Sequence, residues 1–302
     1  MQQIQIKKGI NMDHNPWVIG ENLADEKYMK IVKKAGFDHV RLPFPFDGKQ
    51  PETTEGPTYY ETIKQVCLLA LKNGLVPIVD IHPFYFMNRE PLVYKDAYLK
   101  MWDELAEYLR DIDESVIFEL LNEPDNEYNY VLLNEIQNEA IKRVRRTNPT
   151  RIIAAATAHC NTIENLEHLI LPEDDENIIV TIHDYTPMRF THQGASWMNP
   201  PTPGNQKWGS DADYQELIDH LDMAKKWADE HHRFIHLGEF GVYSAANIDD
   251  RCAWISLMVK LCEERDFAWC HWEFWSGFGA YDGRNDCWRK PIIDALMPPK
   301  NY

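Results

Sequence analysis

Val116-Ile117-Phe118-Glu119-Leu120-Leu121-Asn122-Glu123-Pro124 passes from an apolar run into polar loop residues, and Phe234-Ile235-His236-Leu237-Gly238-Glu239-Phe240 repeats the transition later in the chain. Both apolar runs are too short for helices and rich in strand-forming residues, so each reads as a buried strand with a glutamate at its carboxyl end. A carboxylate in that position is costly to desolvate and adds little to packing, which asks for a chemical reason. Cleavage of a glycosidic bond needs such a pair, one group to give a proton and one to act as nucleophile or base.

Outward from these two segments, strand-like runs alternate with amphipathic helical stretches along the whole chain. The strands expected are Ile4–Ile10, His39–Pro43, Val76–Ile81, Val116–Leu121, Ile152–Ala156, Ile178–Ile182, Phe234–Leu237 and Ala268–Phe274. Helices are expected at Ala24–Ala35, Tyr59–Asn73, Asp96–Arg110, Tyr130–Thr147, Thr162–Ile170, Asp213–His231, Asp250–Arg265 and Pro291–Leu296. In the second of these, Ile63, Val66, Cys67, Ala70 and Leu71 make one apolar face. Eight β/α units in a chain of 302 residues predict an α/β fold, a (β/α)8 TIM barrel forming a single catalytic domain over residues 1–302, with its site at the carboxyl ends of the strands. A doubly wound open sheet would carry a Gly-rich phosphate turn after the first strand, where Gly9-Ile10-Asn11-Met12-Asp13-His14 stands instead.

The barrel makes the strand ends converge, and they read Asn11, Arg41, His82, Asn122 with Glu123, His159, His183 with Tyr185, Glu239 and Trp272. Each has a plainer explanation. Asn11 suits a turn cap as well as a site. Arg41, before Leu42-Pro43, is either half of a structural ion pair or the group that keeps a glutamate ionised. A lone His82 or His183 on a strand is ordinarily a satisfied core residue, although the carboxyl rim of a barrel favours function. Strand alternation places Trp272 and Phe274 on one side, His271 and Glu273 on the other. The segment Thr186–Asp213, with Trp197 and Trp208, lacks a regular period and is long for a connection, so it is expected to face substrate. Either tryptophan would stack on a sugar ring or anchor the loop.

A net charge of −17 excludes a nucleic-acid or anionic-membrane surface, and no apolar run is long enough for a membrane span. Six cysteines without Cys-x-x-Cys spacing are expected to be reduced thiols. The start Met1-Gln2-Gln3-Ile4-Gln5-Ile6-Lys7 has no signal-peptide core, which leaves a cytoplasmic protein or a secreted one whose signal was removed. Histidines spaced for a barrel metal site, such as His-x-His on strand one, are missing, so neither metal nor other cofactor is expected. The expected partner is a polysaccharide or oligosaccharide substrate, with no nucleic acid and no membrane, bound by a monomer.

Taken together, Asn122-Glu123-Pro124, Glu239 in Gly238-Glu239-Phe240-Gly241, His183-Asp184-Tyr185, Arg41 in Val40-Arg41-Leu42-Pro43, and Trp272 resemble glycoside hydrolase family 5, from Gly9 to about Asp282. Phe190-Thr191-His192-Gln193-Gly194-Ala195-Ser196-Trp197 is similar to a group of bacterial endo-glucanases, some of which also cleave mannans. The resemblance implies a retaining β-1,4-glucanase with Glu239 as nucleophile, Glu123 as acid/base, and Asn11, Arg41, His82, Asn122, His183, Tyr185, Trp197 and Trp272 supporting or binding substrate, to which the loop reading adds Trp208. The chain departs from the family pattern at Met12-Asp13-His14-Asn15 and Pro83-Phe84-Tyr85. A mannanase of the same family is the nearest alternative, and a non-catalytic sugar-binding barrel a distant one.

Overall fold

The computed structural model describes residues 4–12, 26–48, 58–82 and 84–298. The departures at Asp13, His14, Asn15 and Pro83, and the expected start of the first helix at Ala24, lie outside the described residues. Eight parallel strands close into a barrel in chain order, with β1 pairing β8 through Gly9 and Cys270. They are β1 (Lys8–Asn11), β2 (His39–Phe44), β3 (Val76–Ile81), β4 (Ile117–Glu119), β5 (Ile153–Ala156), β6 (Ile178–His183), β7 (Ile235–Phe240) and β8 (Ala268–His271). Around them run α1 (Glu26–Ala35), α2 (Tyr59–Lys72), α3 (Tyr85–Arg89), α4 (Pro91–Tyr108), α5 (Tyr130–Arg145), α6 (Ala158–Asn161), α7 (Met188–Thr191), α8 (Asp211–His231), α9 (Ile248–Glu264) and α10 (Lys290–Leu296).

Helix α2 buries Ile63, Val66, Cys67 and Ala70 against the strands, as its periodicity predicts, and Thr58 caps it by accepting from the Glu61 amide. Helix α4 begins at Pro91, five residues before the expected start, and Pro suits its first turn. Leu92 and Val93 there are exposed, which obscured the apolar stripe. The expected helix Thr162–Ile170 is a 3-10 segment, Ile163–His168. Strand β8 stops at His271, so the alternation read through Phe274 fails: Phe274 is buried against Tyr28 and Tyr281, away from Trp272. A short hairpin, β9 (Tyr281–Asp282) and β10 (Cys287–Trp288), follows and was not foreseen.

The barrel interior is layered. Ile6, Ile78, Ile117, Ile152, Ala154, Ile179 and Ala268 form a separate apolar floor. Two-residue alternation then lifts His39 to Arg41 on β2 and Ile117 to Glu119 on β4, so the side chains above the floor are polar. The six cysteines are all free thiols. No helix among the described residues is long and apolar enough to cross a membrane.

Candidate active site

Arg41 organises the mouth of the barrel. Its buried guanidinium donates through Nε and Nη2 to both oxygens of Glu119, each at 2.8 Å. Nη1 reaches Glu239 Oε1 at 2.7 Å and Asn11 Oδ1 at 2.9 Å, while Nη2 reaches Asn122 Oδ1 at 2.7 Å. Asp80 Oδ2 lies 3.0 Å from Nη2. Burial works against the charge of Arg41, but Asp80, Glu119 and Glu239 outweigh it and hold the guanidinium protonated. Burial raises the pKa of Glu119 above the carboxylate range, with Asp80 and Glu239 adding to the effect and Arg41 opposing it.

Arg41 was expected to have one carboxylate partner; it has three. Asp80 and Glu119 break the almost wholly apolar strand interiors that the sequence pattern predicts. The signal was present: a charge inside Val79-Asp80-Ile81 or Phe118-Glu119-Leu120 must find a buried partner, and Arg41 is the available cation.

The two opening glutamates differ in their surroundings. Glu239 has only 5% of its side chain exposed and accepts from Arg41 on one oxygen and from the Tyr185 hydroxyl on the other, the latter at 2.8 Å. Glu123 keeps 35% of its side chain exposed. Its backbone is left-handed, with φ of 46°, and its carbonyl accepts from Asn88 Nδ2 at 2.9 Å. Burial raises its pKa; Asp80 and Asp125 push the same way, against His82 and Arg41. His183 Nδ1 lies 2.9 Å from Glu123 Oε1. Burial pulls the pKa of His183 down to about 4, so this imidazole is neutral. The Asn161 amide nitrogen faces its Nε2 at 3.5 Å, leaving Nδ1 as the protonated nitrogen that donates to Glu123.

His82 stands against Asp80, with Nδ1 2.9 Å from Oδ2. Burial alone would lower its pKa, but the Asp80 carboxylate outweighs that and raises it. Trp272 stacks on His82, ring centroids 5.5 Å apart and planes within 6°. Both line a cavity of about 470 Å³ with Glu123, Glu239, Tyr185 and Trp197. Trp197 is 57% exposed and meets Tyr243 edge-on at 5.0 Å. His192, from the segment expected to face substrate, also lines this cavity, as do Tyr243 and Phe278, which were not foreseen because their loops carry no strand-end signature. A larger hollow, about 580 Å³ around Trp227, His231 and Arg233, lies at the amino ends of β6 and β7, away from the carboxylates.

Three expected residues take other places. Asn11 is fully buried beneath the cavity, donating to the Gly238 carbonyl at 2.8 Å and accepting from Arg41, so it supports the strand ends. Trp208 is 7% exposed and packs on Phe190 and Tyr214, which makes it a loop anchor and corrects its reading as a sugar platform. His159 points outward, beside Asp125 at 3.3 Å. Glu123, His183 and Glu239 each present a ligand atom within 4.8 Å of the other two. A cation there would compete with the His183–Glu123 hydrogen bond and with the donors on Glu239.

The model of cellulase, glycosyl hydrolase family 5, matches residues 4–278. The chain belongs to this family. Among family 5 structures, Cel5A of Thermotoga maritima in complex with cellobiose superposes with a TM-score of 0.89 at 32% identity, covering 97% of each chain. The same protein with mannotriose gives a TM-score of 0.88 at 32% identity, again covering 97% of each chain. Endoglucanase H of Acetivibrio thermocellus is 27% identical over 290 residues, 92% of this chain and 31% of its own length. The chain thus spans about a third of that relative.

Proposed function

We propose that this chain is an endo-β-1,4-glucanase that cleaves with retention of anomeric configuration, with Glu239 as nucleophile and Glu123 as acid/base. The observation that carries the reading is the short gap between the two carboxylates, whose nearest ligand oxygens lie within 4.8 Å. Retaining enzymes hold their carboxyl groups about 5–5.5 Å apart, whereas inverting ones leave about 6.5–9.5 Å for a water. Arg41 and Tyr185 donate to both oxygens of Glu239, which fixes the carboxylate in place for attack. Glu123 accepts from His183 on Oε1 and keeps an open face to the cavity, so its own proton sits on Oε2, toward a departing sugar oxygen.

In the first step Glu239 attacks the anomeric carbon as Glu123 passes its proton to the leaving oxygen. In the second, Glu123 takes a proton from the water that releases the glycosyl-enzyme. Arg41 occupies the Asn122 carbonyl oxygen, leaving that amide's N–H side for a sugar hydroxyl. A mannan-cleaving side activity is favoured by one observation: the Thermotoga maritima relative has been solved with mannotriose as well as with cellobiose.

Glu239→Gln tests the assignment. Hydrolysis of β-glucan should fall by roughly 10⁴ or more while cello-oligosaccharide binding persists; an active variant would overturn it. Product profiles on defined cello- and manno-oligosaccharides, with the anomer followed by NMR, then separate glucan from mannan preference and retention from inversion.

A further inference from the structure

Beneath Arg41, between the polar layer and the apolar floor, three metal-binding side chains converge that take no part in the carbohydrate chemistry. His39 on β2, His236 on β7 and Cys270 on β8 are fully buried. One donor atom from each lies within 4.8 Å of the other two. The two Nε2 atoms are 3.2 Å apart, a few tenths of an ångström short of the roughly 3.5 Å that a trigonal centre sets between two nitrogens about 2.0–2.1 Å from it.

The surroundings are those of a ligand set. His39 Nδ1 lies 2.7 Å from Asp38 Oδ1, and Asp38 is fixed by the backbone amides of Lys7 and Lys8 at 3.0 Å each. A carboxylate behind an imidazole is the usual device for orienting a metal-binding histidine. Asn11 Nδ2 approaches Cys270 Sγ at 3.4 Å, as an amide does beside a thiolate ligand. Between these strands the chain has Gly9, where a Cβ would fall 2.1 Å from His39 Nε2, so the missing side chain makes the room. A plain hydrogen bond between the two imidazoles also accounts for the Nε2 pair, and His236 Nδ1 is buried without a partner in either case.

We propose that His39, His236 and Cys270 form a structural site for Cu(I) inside the barrel. Two imidazoles and one thiolate are a trigonal set suited to copper, and soft thiolate selects Cu(I). Only these three donors converge here among the described residues, which suits three-coordinate Cu(I), whereas a structural Zn(II) is almost always four-coordinate. On binding, the copper–sulfur bond forms as the Cys270 thiol proton leaves to solvent, and the proton shared by the two Nε2 atoms moves to His236 Nδ1. No electron is transferred. Since every ligand is buried, the cation enters during folding.

The test is to refold the full chain anaerobically with Cu(I) or with Zn(II), dialyse against chelator, and measure metal per chain together with copper-edge X-ray absorption. About one copper per folded chain with one sulfur and two nitrogen neighbours is expected, falling at least tenfold in Cys270→Ala and His236→Leu. Copper below a tenth of an equivalent, retention of zinc in preference to copper, or equal copper in the variants overturns the proposal. Should both variants fail to fold, absence of a copper–sulfur shell in the parent protein overturns it alone.

Discussion

At the scale of single residues, Glu123 combines a left-handed backbone, a histidine donor and an open face toward the cavity. Left-handed φ at a non-glycine residue costs about 1–3 kcal/mol and persists where its surroundings hold it, here the Asn88 bond to its carbonyl. Its raised pKa keeps the proton on Glu123 to higher pH than an ordinary glutamate, so kcat/KM should fall on the alkaline side as that proton is lost. Glu123→Ala should lower kcat on polysaccharide by about 10²–10⁴. The loss in kcat/KM, which reports the first step, should be far smaller on aryl cellobiosides whose leaving group needs no proton, and an equal loss in kcat/KM on both would sink the acid role. Arg41→Met should destabilise by about 3–5 kcal/mol, read from the denaturant midpoint, because Asp80, Glu119 and Glu239 would be left with no buried cation. The strand-end residues were legible because apolar runs stop abruptly there. Asp80 and Glu119 were passed over because single charges within apolar runs were averaged away. Trp208 was ambiguous because an aromatic ring suits a loop anchor and a sugar platform equally until its neighbours Phe190 and Tyr214 are known.

Among the elements, helix α8 has a full capping box between Ser210 and Asp213, which explains why it starts at Asp211 although its apolar stripe begins later. From its middle, His220 reaches two other elements: Nδ1 lies 3.1 Å from Asp184 Oδ2, next to Tyr185, and Nε2 lies 2.9 Å from Glu164 Oε1 in the 3-10 segment. Burial opposes the charge on His220, but these two carboxylates raise its pKa from 6.5 to about 10. A pKa raised on folding contributes stability that is complete below 6.5 and lost as the pH climbs to about 10. Glu164 runs the other way: its bond to His220 lowers its pKa from 4.5 to about 2, so its share is present above 4.5 and lost toward 2. His220→Gln should therefore lower the denaturant midpoint most between pH 4.5 and 6.5, with the gap to the parent closing by about pH 10. A gap independent of pH would remove the ionic basis of this clasp. The clasp itself was unreadable from sequence, since its members are 20 to 56 residues apart, in the two connections on either side of β6. The same holds for the left-handed run His159, Cys160 and Asn161, which brings the Asn161 amide to His183.

For the whole molecule, the barrel was legible because eight alternations of period two and period 3.6 leave little else for the chain to build, and β2, β3 and β6 fall within a residue of where they were expected. Boundaries slipped where a backbone device overrode hydrophobic pattern, as at Pro91 in α4, or where a strand ended early, as at His271. The layering inside the barrel has a further consequence for traffic. With Ile6, Ile78, Ile117, Ile179 and their neighbours closing the far end, everything that reaches Glu239 must enter by the doorway through which the cut sugar leaves. On the retaining mechanism proposed above, incoming water and incoming sugar hydroxyls then compete for the same glycosyl-enzyme. Concentrated cello-oligosaccharide should therefore give products longer than the starting chain, detectable by mass spectrometry, in a proportion that rises with substrate.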